Sequence, residues 1–164
     1  MRAFDQPGRS PVYAENGMVA TSHPLATATA MDVLKSGGNA VDAAIAASAT
    51  LCVVEPHMTG IGGDCFAIVA GRDGIHGLNG SGRAPLAANA ERLRTMGLTA
   101  VPESGALPIT VPGAIKAWEA LANRFGTQPF ERLFADAIRY GEEGFAIHPR
   151  VARDWAGHVD ELRL

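Results

Sequence analysis

Gly17 to Asp64, GMVATSHPLATATAMDVLKSGGNAVDAAIAASATLCVVEPHMTGIGGD, decides how this chain folds. Met18 to Ala20 read as a short apolar strand. Ser22 stands where a helix cap belongs, and Pro24 suits a first helical turn, where its missing N–H is not needed. Gly37 and Gly38 close that helix, because a chain leaving a helix often needs a positive φ. Asn39 then caps a second helix. Its residues Val41, Ala44, Ile45, Ser48 and Cys52 fall on one face, and Ala40, Ala43, Ala47, Leu51 and Val54 on another. Small apolar residues on nearly every side predict a helix wedged between other layers rather than laid on a surface. Pro56 ends it. Gly60, Gly62 and Gly63 follow in a loop whose backbone is free to approach a neighbour closely.

Around this stretch the chain is of ordinary composition. Its 164 residues suffice for one domain with a sizeable core, and 47% are hydrophobic and 6% aromatic. A formal charge of −3 gives no electrostatic footprint for nucleic acid or an anionic membrane surface. The longest run of small apolar residues, Ala40 to Val54, is broken by Asp42 and Ser48 and is too short to span a bilayer. Residues 1 to 20 include Asp5, Arg9 and Glu15 and no apolar leader core, which predicts a cytoplasmic location. Cys52 and Cys65 are the only cysteines; they read as buried free thiols, not a disulfide framework.

Residues 1 to 16 read as a polar arm, and 17 to 164 as one portion of a domain. Cys65 to Ala70 and Gly74 to Leu78 are two strands around Gly71-Arg72-Asp73-Gly74, a hairpin signal. A short helix is predicted at Asn89 to Met96, followed by the proline-rich connector VPESGALPITVPG. Ile115, Trp118, Ala122 and Phe125 form a helical stripe begun by Pro112 and stopped by Gly126. Phe130, Leu133, Phe134, Ala137 and Ile138 repeat the stripe. Val151, Trp155, Val159 and Leu162 start a third, with no stop signal before Leu164. The expected class is mixed α/β, with one hairpin and several packed helices.

The glycine loop does not read as a nucleotide site. Cys65 occupies the third glycine position of G-x-G-x-x-G, a helix precedes the loop instead of a strand, and no Lys-Ser or Lys-Thr pair follows. A tight crossing of backbone against sheet explains the glycines, with access to a substrate pocket as an added role. His57, Asp64, Cys65 and His76 match no recurrent zinc spacing. A Cys65–His57 nucleophile pair lacks a third, orienting residue.

Several ordered motifs carry a family resemblance: SHPLAT, SGGNAVDAAIA, VVEPHMTGIGGD, GLNGSGRAP (Gly77 to Pro85), LPITVPG (Leu107 to Gly113) and YGEEGFAIHP (Tyr140 to Pro149). In this order and spacing they resemble the gamma-glutamyltransferase family over nearly the whole chain from Gly17 onward. That resemblance implies part of a four-layer αββα sandwich of the N-terminal-nucleophile hydrolases, an α+β fold. It implies the first third or so of a precursor that cuts itself into a large and a small subunit. The substrate implied is a small-molecule amide, and the partner implied is the C-terminal region or small subunit; no cofactor, metal, nucleic acid or membrane is implied.

By the same resemblance, the catalytic residue is a threonine that becomes the first residue of the small subunit, its amine acting as base. No threonine here matches that position, so the catalytic set of this chain is empty and the chain alone is expected to be inactive. In glutathione-using members an arginine four residues before the proline of the GLNGSGRAP segment grips the α-carboxylate of the glutamyl group. Four residues before Pro85 stands Ser81. One hydroxyl replaces a planar, charged, two-pronged guanidinium there. Arg83 lies two residues on, and in an extended segment positions 81 and 83 project to the same side. Arg83 either restores the missing charge or is an exposed loop arginine. Ser81 and Arg83 are the candidate substrate-binding residues, and Gly60, Gly62 and Gly63 the candidate loop beside the site. An acylase-type relative cleaving a glutaryl-like amide, and a non-catalytic binding module, are the alternatives.

Overall fold

The computed structural model describes residues 11–162. Two helices at its centre follow from the opening stretch. Helix α1 spans Pro24–Lys35 and α2 spans Ala40–Val54. Gly37, at φ 92°, makes the turn between them. Asn39 caps α2 in a reciprocal box: its side chain accepts from the Val41 and Asp42 amides, and Asp42 accepts from the Asn39 amide. The predicted cap of α1 is displaced by one residue. His23 Nδ1 accepts from the Leu25 amide at 3.1 Å, because the Ser22 hydroxyl is turned away to Glu55. Met18 to Ala20 form no strand. The segment instead lies beside α1 and α2, lining one groove with Leu34, Ala43 and Ala47, and the sheet of described residues holds only β1 and β2.

Helix α2 is enclosed much as its small residues require. Ala43, Ile45, Ala46, Ala47, Ala49, Thr50 and Val54 are buried, while Ala40 and Ala44 stay exposed. It packs on α1, on α4 (Ala114–Phe125), on a 3-10 turn at Phe130–Phe134 and on α5 (Ala135–Glu143). One buried carboxylate ties these together. Asp42, fully buried, accepts from the amides of Asn39, Thr127 and Gln128 and from the Thr127 hydroxyl at 2.6 Å.

Strands β1 (Cys65–Gly71) and β2 (Gly74–Gly80) form an antiparallel hairpin, with Gly71 opposite Gly74 and Cys65 opposite Gly80. One face, carrying Cys65, Ala67, Val69 and Leu78, packs on the helical core. The other face presents Phe66, Ile68 and Ile75 to solvent. Helix α3 (Ala90–Thr95) is capped by Asn89 and buries nothing. The last predicted stripe divides into α6 (Pro149–Gly157) and α7 (Val159–Leu162), with His158 as the C-cap of α6. Among the described residues no helix is long and apolar enough to cross a membrane. Of the polar arm, residues 1–10 lie outside the described residues.

Candidate functional site

The GLNGSGRAP segment and the glycine loop meet at the start of α4. Gly63 offers its carbonyl to the Gly113 and Ala114 amides at 3.0 and 3.1 Å, satisfying two of the donors a helix start leaves unpaired. On the same connector, the Val111 amide donates to the Arg83 carbonyl at 2.9 Å, and the Thr110 hydroxyl donates to the Ser81 carbonyl at 3.4 Å. Asn79 Oδ1 accepts from the Ser81 amide at 3.0 Å and fixes the backbone where β2 ends. The VPG segment, Val111 to Gly113, therefore clamps both motifs.

The approach that excludes a side chain lies elsewhere than the glycine loop. Side chains added at Gly60 and Gly62 would meet open space, and at Gly63 the nearest atom is the Gly60 carbonyl oxygen at 3.4 Å. None of the three has a positive φ. A Cβ at Gly82 would instead overlap the Val111 carbonyl, and one at Gly113 would overlap the Gly80 carbonyl. The crossing expected at Gly60 to Gly63 is thus made by Gly82 and Gly113, because here two chain segments run against each other.

Gly82 also corrects the expected aim of the candidate residues. Its φ of 74° breaks the extended alternation, so the premise that placed the side chains of Ser81 and Arg83 on one side is not met. Ser81 is half-buried and Arg83 exposed. Arg83, but not Ser81, lines a groove of about 450 Å³, whose walls also include Asn79, Pro112, Lys116 and Ala120. Arg83 and Lys116 are its charged residues, and no carboxylate lines it. Lys116 leaves no signal in the sequence, where it reads as a solvent-side helix position.

The four residues considered as metal ligands are not brought together. His57 Nε2 lies 3.5 Å from Asp154, whereas His76 lies between Asp73 at 3.0 Å and Arg124 at 3.1 Å on the hairpin. Among the described residues no cluster of three or more histidine, cysteine or acidic side chains has a metal-holding arrangement. Cys52 and Cys65 are free and half-buried, and burial pushes both thiols up, which lowers their thiolate fraction.

A second polar cluster escaped the sequence reading, since its members come from three separate stretches. His23 is 2% exposed and sits edge-on to His148, ring centres 5.5 Å apart. Glu55 is buried beside them and takes the Ser22 hydroxyl bond. His23 Nε2 and His57 Nδ1 are buried with no hydrogen-bonding partner among the described residues. Burial lowers the His23 pKa, Glu55 pulls it upward, and His148 adds to the lowering; the result lies below the ordinary imidazole value.

Known proteins resemble both the sequence and this arrangement. Residues 26–164 match the family described as Gamma-glutamyltranspeptidase. The chain is 38% identical over 94% of its length to the acylase ACY 1 proenzyme of Pseudomonas sp. (strain SE83), covering 29% of that protein. It is 36% identical over 90% of its length to the glutathione hydrolase proenzyme of Bacillus subtilis (strain 168), covering 26% of it. Among solved structures, a cephalosporin acylase from Bacillus halodurans superposes with a TM-score of 0.89 at 47% identity, over 98% of this chain and 30% of that one. The gamma-glutamyltranspeptidase of Helicobacter pylori gives 0.83 at 33% identity, over 91% of this chain and 44% of that one. The chain spans less than a third of the length of the curated relatives it matches. Its mixed helix and strand content is an α+β part of the N-terminal-nucleophile hydrolase sandwich. The chain belongs to the gamma-glutamyltranspeptidase family.

Proposed function

We propose that this chain is the N-terminal section of an enzyme that cleaves a gamma-glutamyl amide and passes the acyl group to water or an amine. The nucleophile is a threonine supplied by the rest of the protein. Its hydroxyl oxygen attacks the amide carbonyl, the C–N bond breaks, and the leaving amine takes the proton held by the threonine's own amine. Water or an acceptor amine then breaks the resulting ester and restores the hydroxyl. In this reading the present chain holds the donor. The observation that carries it is the cationic groove lined by Arg83 and Lys116, with no carboxylate among its described lining residues. A donor with a free carboxylate distal to the scissile amide matches that charge.

The residue at position 81 favours a second reading, a glutaryl-type acylase. A glutaryl group has the same distal carboxylate as a glutamyl group but no α-amine to seat. The 47% identity with a cephalosporin acylase supports this alternative. Assay of the full-length protein on gamma-glutamyl and glutaryl anilides separates the two. Higher kcat/KM on the gamma-glutamyl donor supports the first reading; a glutaryl preference replaces it with the second, and no turnover of either overturns both.

A further inference from the structure

Two helix starts in this chain are capped by histidines that face each other. His23 Nδ1 accepts from the Leu25 amide at 3.1 Å at the start of α1. His148 Nδ1 accepts from the Arg150 amide at 3.2 Å at the start of α6. An imidazole nitrogen that accepts a backbone N–H cannot itself carry a proton, so each cap requires a neutral ring protonated at Nε2. A second proton on either ring would turn its acceptor into a donor aimed at an amide. It would also place a cation at a helix N-terminus, where the dipole already presents positive charge. Protonating both would put two like charges about one ring contact apart, at 5.5 Å between centres.

We propose that His23 and His148 form a proton-operated latch, which holds the start of α6 against α1 and α2 at neutral pH and releases it under mild acid. The surroundings allow this sign. Glu55 is the one carboxylate whose field raises the proton affinity of His23, and one of its oxygens is held by the Ser22 hydroxyl. Burial and His148 outweigh it. A histidine whose folded-state affinity lies below its unfolded value contributes its full stabilisation above the ordinary pKa of 6.5 and loses it as pH falls below that value. On the α6 side, His57 Nε2 lies 3.5 Å from Asp154, which Arg150 Nε also holds at 2.8 Å. Release of α6 would part the apolar groove that Val53, Val54 and Pro56 form with Ile147, Val151 and Trp155.

Hydrogen exchange in the full-length protein, divided by the chemical exchange rate at each pH, tests the latch on the peptide covering residues 145–157. Protection there is expected to fall about tenfold between pH 7.5 and 5.5, the factor matching loss of one helix cap. His148→Asn keeps an acceptor that does not titrate. It should preserve protection at pH 7.5 and remove the step, and His23→Asn should at least halve the step on a logarithmic scale. His57→Gln should leave the step in place. The latch is overturned by a flat wild-type response, by a step that survives both asparagine variants, or by loss of protection in His148→Asn at pH 7.5.

Discussion

Replacing Asp42 with asparagine removes one charge and almost no volume, and the structure lets the cost be worked out. The carboxylate is fully buried and receives the Asn39 and Gln128 amides and both donors of Thr127. In Asp42→Asn one oxygen becomes an NH2 that confronts donors. The side facing the Asn39 amide and the Thr127 hydroxyl, at 2.9 and 2.6 Å, has no second acceptor to offer. Each hydrogen bond to a charged group contributes about 1.5–3 kcal/mol, against about 0.5–1.5 for a neutral one. Two such bonds lost or reversed, with the remainder weakened, cost about 3 kcal/mol. The acid dependence follows from the same contacts. Burial alone would raise the Asp42 pKa, but the Thr127 hydroxyl and the Asn39, Thr127 and Gln128 amides more than offset it and hold it below the ordinary carboxylate value. A depressed carboxylate contributes above its unfolded pKa and loses that contribution as pH falls through its folded value. Urea unfolding of full-length wild type and Asp42→Asn should therefore differ by about 3 kcal/mol, unchanged from pH 8 to 5 and shrinking below pH 4. Equal stability at pH 7, or a difference that grows on acidification, would refute the reasoning.

The remaining predictions concern the clamp, the donor and the isolated chain. Gly82→Ala should cost about 3 kcal/mol or more, through its positive φ and its overlap with the Val111 carbonyl, while Gly62→Ala should lie within about 0.5 kcal/mol of wild type by thermal melting. Ser81→Arg should raise kcat/KM on gamma-glutamyl donors about tenfold, and more than on glutaryl donors, if position 81 faces the donor's α-carboxylate. Arg83→Ala should instead raise KM on gamma-glutamyl donors if Arg83 already supplies the charge; an unchanged donor ratio in both variants removes these residues from the site. Residues 1–164 expressed alone should self-associate, since Phe66, Ile68 and Ile75 are 65%, 81% and 78% exposed on one face of a hairpin with unpaired edges. A monomer that melts cooperatively in sedimentation and calorimetry would contradict this.

What could be read from the sequence was local in origin. Pro24, Gly37 and Asn39 act on residues one to four positions away, so the limits of α1 and α2 were visible to within a residue. The hairpin was equally legible, because Asp73 and Gly74 set its turn and the alternating residues set its faces. Failures came where a distant residue competed for a local role. Ser22 looked like the α1 cap, yet its hydroxyl reaches Glu55, thirty-three positions on, and His23 takes the cap. Met18 to Ala20 had the composition of a strand but no strand to pair with among their neighbours. Gly60, Gly62 and Gly63 are dense enough to suggest a crossing, while the most crowded glycines, Gly82 and Gly113, lie far apart in sequence and meet only in space. The Asp42–Thr127 bond joins residues eighty-five apart, and the histidine pair joins α1 to α6; neither leaves a periodic trace.

Whether the chain belongs to a self-cleaving precursor with a threonine nucleophile is tested most directly by the N-terminus that cleavage creates. The full-length protein should resolve into two subunits on a denaturing gel, and sequencing of the smaller one should begin at threonine. Replacing that threonine with alanine should leave a single uncut chain with no turnover of either anilide donor. An active protein that stays uncut, or a small subunit that begins with any other residue, would contradict the account.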